Sequence, residues 1–201
     1  MRSDSRRRAA ADAIGSVATG ESVIVDSRGE FSLRDALDHV LEVEPVGALD
    51  LSTWTISTDG VRWIEDCLDV GAVSTMRFVV CYGLYSIYAE RWAGLIRILG
   101  HERIRAVNTH VKCAIVGDLV LRTSANLSHN PRSELYEVTR SVELAAFMRS
   151  SFDGIFRDVP AGTIQSANHF PTVTSTVVMP LIRAGQINTP NVPETSHVVS
   201  R

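Results

Sequence analysis

The chain has 201 residues, of which 45% are apolar and 21% charged, and its formal net charge is −3. That length holds one core-bearing domain, or one domain plus an arm, and excludes two full enzyme domains. The near-average composition excludes wholesale disorder, a collagen repeat and a coiled coil, and no apolar run approaches the roughly 18–20 residues of a bilayer span. The near-neutral charge speaks against a general polyanion binder but leaves room for a local phosphate site.

Residues 1–20 read as a loose basic leader. Arg2, Arg6, Arg7 and Arg8 open it, and Ala9 to Gly20 is too polar and broken for a signal-peptide core, so a cytoplasmic location is expected. Residues 21–158 read as an α/β domain. Ser22 to Asp26 is strand-like, then Ser32 caps a helix to about Val43, with Asp35 at capping-box spacing and Leu33, Leu37, Val40 and Leu41 on one face. Gly47 to Ser52 predicts a strand, followed by a helix that Thr58 or Asp59 opens and Gly71 closes. Its acidic residues Glu65, Asp66 and Asp69 read as a solvated face.

Met76 to Tyr82 is β-rich. The clearest helix follows, Ser86 to Leu99, with Tyr88, Trp92, Leu95, Ile96 and Leu99 at helical spacing and Gly100 as its stop. Arg103 to Val116 and Leu119 to Leu127 read as two strands joined at Gly117-Asp118, a hairpin. Arg103 and Arg105 are expected at the surface. Glu134 to Val138 predicts another short strand, and Ser141 to Phe156 a helix with Val142, Ala145, Phe152 and Phe156 toward the core. The alternation implies layers of helix on sheet. Residues 159–201 hold five of the seven prolines and three charged residues, which suggests a low-charge arm whose apolar stretches dock on an assembly partner.

Cys67, Cys81 and Cys113 lie in apolar stretches without a CxxC pair, so buried reduced thiols are expected and a zinc site is not. No P-loop or dinucleotide fingerprint is present, and no cofactor is expected. The basic residues are 19 arginines and one lysine, Lys112. On a strand, His110 and Lys112 project from one face together with Asn108 and Ala114, while Val107, Val111, Cys113 and Ile115 back them. Ser124 and Asn126 repeat that spacing on the next strand. Two readings fit these residues: a solvated strand face, or a phosphate site in which Lys112, Ser124 and Asn126 donate while His110 attacks or shuttles a proton.

The wording of the segment resembles the HKD signature of the phospholipase D superfamily. His110-Val-Lys112, then Thr123-Ser124-Ala125-Asn126-Leu127-Ser128, then Glu134, follow its order and spacing, as in small single-motif members of phages and prophages. Two positions depart from the pattern: Gly117 stands where the family has its Asp, with Asp118 one residue late, and Thr123 stands where it has Gly. The resemblance implies a phospholipase D-like layered fold with a mixed central sheet flanked by helices. It implies metal-independent phosphodiester hydrolysis, most readily of DNA or RNA, with His110 as nucleophile, a second histidine as acid, Lys112, Asn126 and Ser124 on the phosphoryl oxygens, and Glu134 orienting a histidine. One motif per chain implies a homodimer with a shared site, and His129 is a lesser choice for the second histidine. His39, His101, His169 and His197 are expected on helix ends or loops. The displaced Asp supports an alternative, a catalytically degenerate binding or assembly protein of phage origin. A phosphatidyltransferase or lipase ranks third.

Overall fold

A computed structural model describes residues 2–44, 47–128 and 132–165. Seven strands form one mixed sheet: β1 (Ser22–Asp26), β2 (Ala48–Thr53), β3 (Thr75–Cys81), β4 (Ile104–Val107), β5 (Cys113–Val116), β6 (Leu119–Thr123) and β7 (Leu135–Arg140). Their order is β1-β7-β6-β5-β2-β3-β4. β2, β3 and β4 run parallel and the remaining pairs are antiparallel. The helices are α1 (Arg2–Ile14), α2 (Leu33–Val43), α3 (Thr58–Asp69), α4 (Gly83–Ile87), α5 (Ala89–Leu99) and α6 (Val142–Asp158).

Strand alternation divides the core between the two sheet faces. Leu49, Leu51, Phe78, Val80, Ala114 and Leu121 pack under α1, α2, α3 and α5. Val79, Cys113, Ile115 and Val120 point the other way and pack on α6 through Leu144, Ala145 and Phe152. The expected capping box closes the start of α2, with Ser32 N–H donating to Asp35 at 2.9 Å and Asp35 N–H returning to Ser32 Oγ. Ser57 and Ser141 cap α3 and α6 by accepting from the backbone N–H of Gly60 and Leu144.

Several expectations need correction. The first residues are not a loose leader, because 2–14 form α1, whose Ala10 and Ile14 are buried and whose Arg7 pairs with Asp38 and Glu42 of α2. The helix read as Ser86 to Leu99 breaks at Tyr88, where ψ is 59°. The Tyr88 ring lies out of the core, with the Arg91 guanidinium 3.9 Å above it. Val142 and Val111 are exposed. Arg105 is not a surface cation, being only 5% exposed; it donates to the carbonyls of His101, Ile104 and Phe156 and stacks on Phe156. His39 lies within α2, buried, with Nε2 2.9 Å from the Gly15 carbonyl. The three cysteines are buried and free, as expected, and burial pushes the Cys67 and Cys113 thiols up to about 12, so neither is a thiolate at neutral pH.

The largest correction concerns the stretch Arg103 to Val116. β4 pairs with β3, whereas β5 pairs with β2 on the far side, so the chain must cross the ends of β3 and β2 between them. Residues 108–112 are that crossing, and His110 and Lys112 lie on a connection rather than within a strand. At the other edge of β4, Ile164 bridges Ala106 and Gln165 N–H donates to the Ala106 carbonyl at 3.0 Å, which covers the free edge of the sheet. The rest of the C-terminal arm, with His169 and His197, lies outside the described residues, as does His129.

Candidate functional site

Topology gathers the predicted residues at one end of the sheet. β2 and β4 finish there, β5 starts there, β6 finishes at Thr123 and β7 starts after Glu134. The crossing at 108–112 passes over the carboxyl ends of the parallel strands, where open α/β sheets form their ligand crevices.

Lys112 is 8% exposed, while His110 faces solvent. The ammonium donates to His110 Nδ1 at 3.1 Å and to the His110 carbonyl, also at 3.1 Å. A ring that accepts at Nδ1 carries its proton on Nε2 when neutral. Desolvation pulls the Lys112 ammonium below the usual lysine range, and the charge of Glu134 opposes that pull. Backbone bonds fix the connection on both sides: Ser52 Oγ donates to the Val111 carbonyl at 3.0 Å, and Thr123 N–H to that of Lys112 at 3.1 Å.

Ser124 and Asn126 also lie beyond their strand. Ser124 Oγ donates to the Glu134 carboxylate in a short contact and accepts from Leu135 N–H at 3.1 Å. Asn126 Oδ1 accepts from Thr55 N–H at 3.3 Å. Thr53 Oγ1 donates to the Thr55 carbonyl at 2.9 Å and accepts from Leu127 N–H at 3.2 Å, so the end of β2 and the 124–128 segment are tied together. The structure therefore brings His110 to Lys112 and Ser124 to Glu134, and locks Asn126 onto the end of β2.

Sequence reasoning missed that strand end. Ser52 and Thr53 are buried polar residues, and the Trp54 ring centroid lies 5.5 Å from that of His110. A Ser-Thr pair closing a strand whose leucines alternate with Asp50 was the available signal. Gly60 was missed as well. A Cβ there would stand 2.6 Å from the Leu127 carbonyl, so the first turn of α3 approaches the site segment as only glycine permits. Gly60→Ala is expected to cost about 1–3 kcal/mol of stability, read as a lower urea midpoint, and to displace Asn126.

Asp118 does not join the site. It occupies the β5–β6 turn at the opposite end of β5 from Lys112, where its carboxylate accepts from Arg140 at 2.8 Å and its carbonyl from Ser141 N–H. Arg140 also pairs with Glu44. Asp118→Asn is thus expected to lower stability by about 1 kcal/mol, because the pair is part-buried, and to leave turnover within about twofold. Denaturation midpoints and initial rates check the two halves of that statement.

No protein-family model and no curated protein matches the chain. Solved structures do. NucT from Helicobacter pylori aligns at a TM-score of 0.54 and 14% identity, covering 70% of this chain and 98% of that one. Nuc, a phospholipase D family member from Salmonella typhimurium, aligns at 0.55 and 15%, with the same two coverages of 70% and 98%. Polyphosphate kinase from Porphyromonas gingivalis aligns at 0.51 and 13%, over 72% of this chain and 27% of that one. The expected fold is established: the chain folds as a phospholipase D-like mixed sheet between helices. The three neighbours bear the names of different proteins, so the fold alone does not name a reaction.

Proposed function

We propose that this chain, with the fold of phospholipase D-like proteins as premise, is a metal-independent phosphodiesterase acting on DNA or RNA as a homodimer. The carrying observation is the buried Lys112 ammonium held 3.1 Å from His110 Nδ1 at the crossing over the strand ends. A buried cation whose bonds go to one exposed imidazole and one carbonyl is poorly compensated until an anion arrives.

A phosphodiester supplies that anion. Its non-bridging oxygens draw Lys112 away from the ring, and the Asn126 amide, whose oxygen is already engaged, offers its NH2 end. Freed from the ammonium, the ring can hold its proton on Nδ1 and attack through Nε2. A bond forms between Nε2 and phosphorus, and the bond to the leaving oxygen breaks. The leaving oxygen takes a proton from a second histidine, which in a two-fold dimer is His110 of a second copy. Water then attacks phosphorus, the bond from phosphorus to Nε2 breaks, and the water's proton passes to that same second ring. Within the chain the Glu134 carboxylate accepts from Ser124, so orienting a histidine falls to the dimeric arrangement.

The test is hydrolysis of single-stranded DNA, RNA and a chromogenic phosphodiester in excess chelator, with quenched enzyme analysed by mass spectrometry. Chelator-resistant cleavage with a phosphoryl adduct on His110, from a protein of dimeric mass, is expected. A folded dimer that neither cleaves nor traps an adduct overturns the proposal. That result would favour the binding and assembly reading, which the remote position of Asp118 supports.

A further inference from the structure

The molecule has three tryptophans. Trp63 is buried and donates its indole N–H to Asp38 at 2.6 Å, and Trp92 meets Tyr85 edge-on at 6.0 Å. Trp54 differs from both, being 46% exposed beside His110, at 5.5 Å between ring centroids. An indole left in water forgoes a large burial gain. Its mount is rigid, because the bonds of Thr53, Thr55 and Asn126 described above hold the residues on either side of it.

We infer that Trp54 is a stacking platform for an unpaired nucleobase next to the scissile phosphate, so that the preferred substrate is a single-stranded nucleic acid. The inference rests on the phosphodiesterase reading. In a nucleotide one sugar joins base to phosphate, so a base lying on this indole brings its own phosphate toward His110. Bases inside a duplex have both faces covered by their neighbours, whereas unpaired bases stack on aromatic side chains with little regard to sequence. A lipid phosphodiester presents no flat ring for the indole to stack on. The exposed rings of Tyr85 and Tyr88 pack on other side chains, Tyr85 on Trp92 and Tyr88 under Arg91, which donates to the Ile56 carbonyl at 3.0 Å, whereas the ring that Trp54 meets is His110 itself.

The test compares full-length wild type with Trp54→Ala and Trp54→Phe. Affinity is read from the anisotropy of a labelled oligothymidylate, and turnover from that oligomer and from an abasic oligomer of equal length. Trp54→Ala is expected to weaken oligothymidylate binding about tenfold and raise its KM accordingly, with a several-fold smaller loss on the abasic oligomer. Trp54→Phe should retain most of the affinity, since a phenyl ring still stacks. Equal losses on both oligomers would overturn the inference by making Trp54 a positioning residue for His110. Unchanged affinity in Trp54→Ala, or no wild-type binding, would overturn it as well, and so would a fall from dimeric to monomeric mass, which would make Trp54 a subunit contact. Trp54-dependent binding without any cleavage would sustain the platform and remove the catalytic reading, so the two fail separately.

Discussion

His110→Ala is expected to lower kcat for phosphodiester hydrolysis by roughly 10⁴-fold or more while the protein stays folded, because the side chain removed is the one that forms the covalent bond. The ring faces solvent but accepts from the ammonium of buried Lys112, so stability should fall by about 1–3 kcal/mol without unfolding the protein, checked by urea denaturation beside the rate assay. Loss of activity can then be assigned to chemistry. In a dimer that shares one site, His110 serves twice, as nucleophile in one copy and as acid in the other. Mixed dimers of mutant and wild type are then inactive, and refolding equal amounts together should leave about a quarter of the wild-type activity, against about a half if each chain is complete. Stopped assays on the refolded mixture read the difference directly. Retained activity in the single mutant would remove His110 from the chemistry altogether.

The elements that could be read from sequence are those whose causes are local. The Ser32–Asp35 capping box, the Gly117-Asp118 turn and the β-rich run of β3 each depend on residues within one turn or one strand. The break between β4 and β5 was illegible for a related reason. Residues 103–116 alternate like one strand, but β4 seeks β3 and β5 seeks β2, and strand order is a property of the whole sheet. The helix α1 was hidden by its polarity. It docks through a narrow face, Ala10 and Ile14, and through Arg7 on α2, and neither partner is visible locally.

The candidate site shows the same division. His110, Lys112, Ser124, Asn126 and Glu134 are proposed from the resemblance in their order along the chain, and the fold brings them to one end of the sheet. The end of β2 was not identified, because Thr53, Trp54 and Thr55 come about seventy residues before Asn126 and meet it only through parallel β2 and antiparallel β5. Asp118 is the converse case. It stands one residue past the place of the pattern's Asp, and the turn aims it at Arg140, so proximity in sequence to a motif does not mean proximity to the site.

Lys112→Arg is expected to lower kcat by about 10²–10³-fold, although it preserves charge, because a preorganised donor to the developing oxyanion charge is lost. Lys112 is 8% exposed as a residue, its ammonium bonded to one ring nitrogen and one carbonyl, and a planar guanidinium fork cannot reproduce both contacts from that position. Charge state supplies an independent check. Desolvation lowers the folded-state pKa of Lys112, so the alkaline limb of kcat/KM should fall below the ordinary lysine value of about 10.4. Glu134 opposes the shift, so Glu134→Gln should move that limb to lower pH still, whatever it does to the height of the profile. Between the folded and unfolded pKa values the unfolded chain binds more protons, so stability should rise with pH across the window in which activity is lost. A titration following rate and unfolding midpoint together separates this from general alkaline denaturation, in which both fall. A lysine that makes the fold more stable by losing its proton is held charged at a cost, and in the proposed mechanism an anionic phosphoryl group offsets that cost.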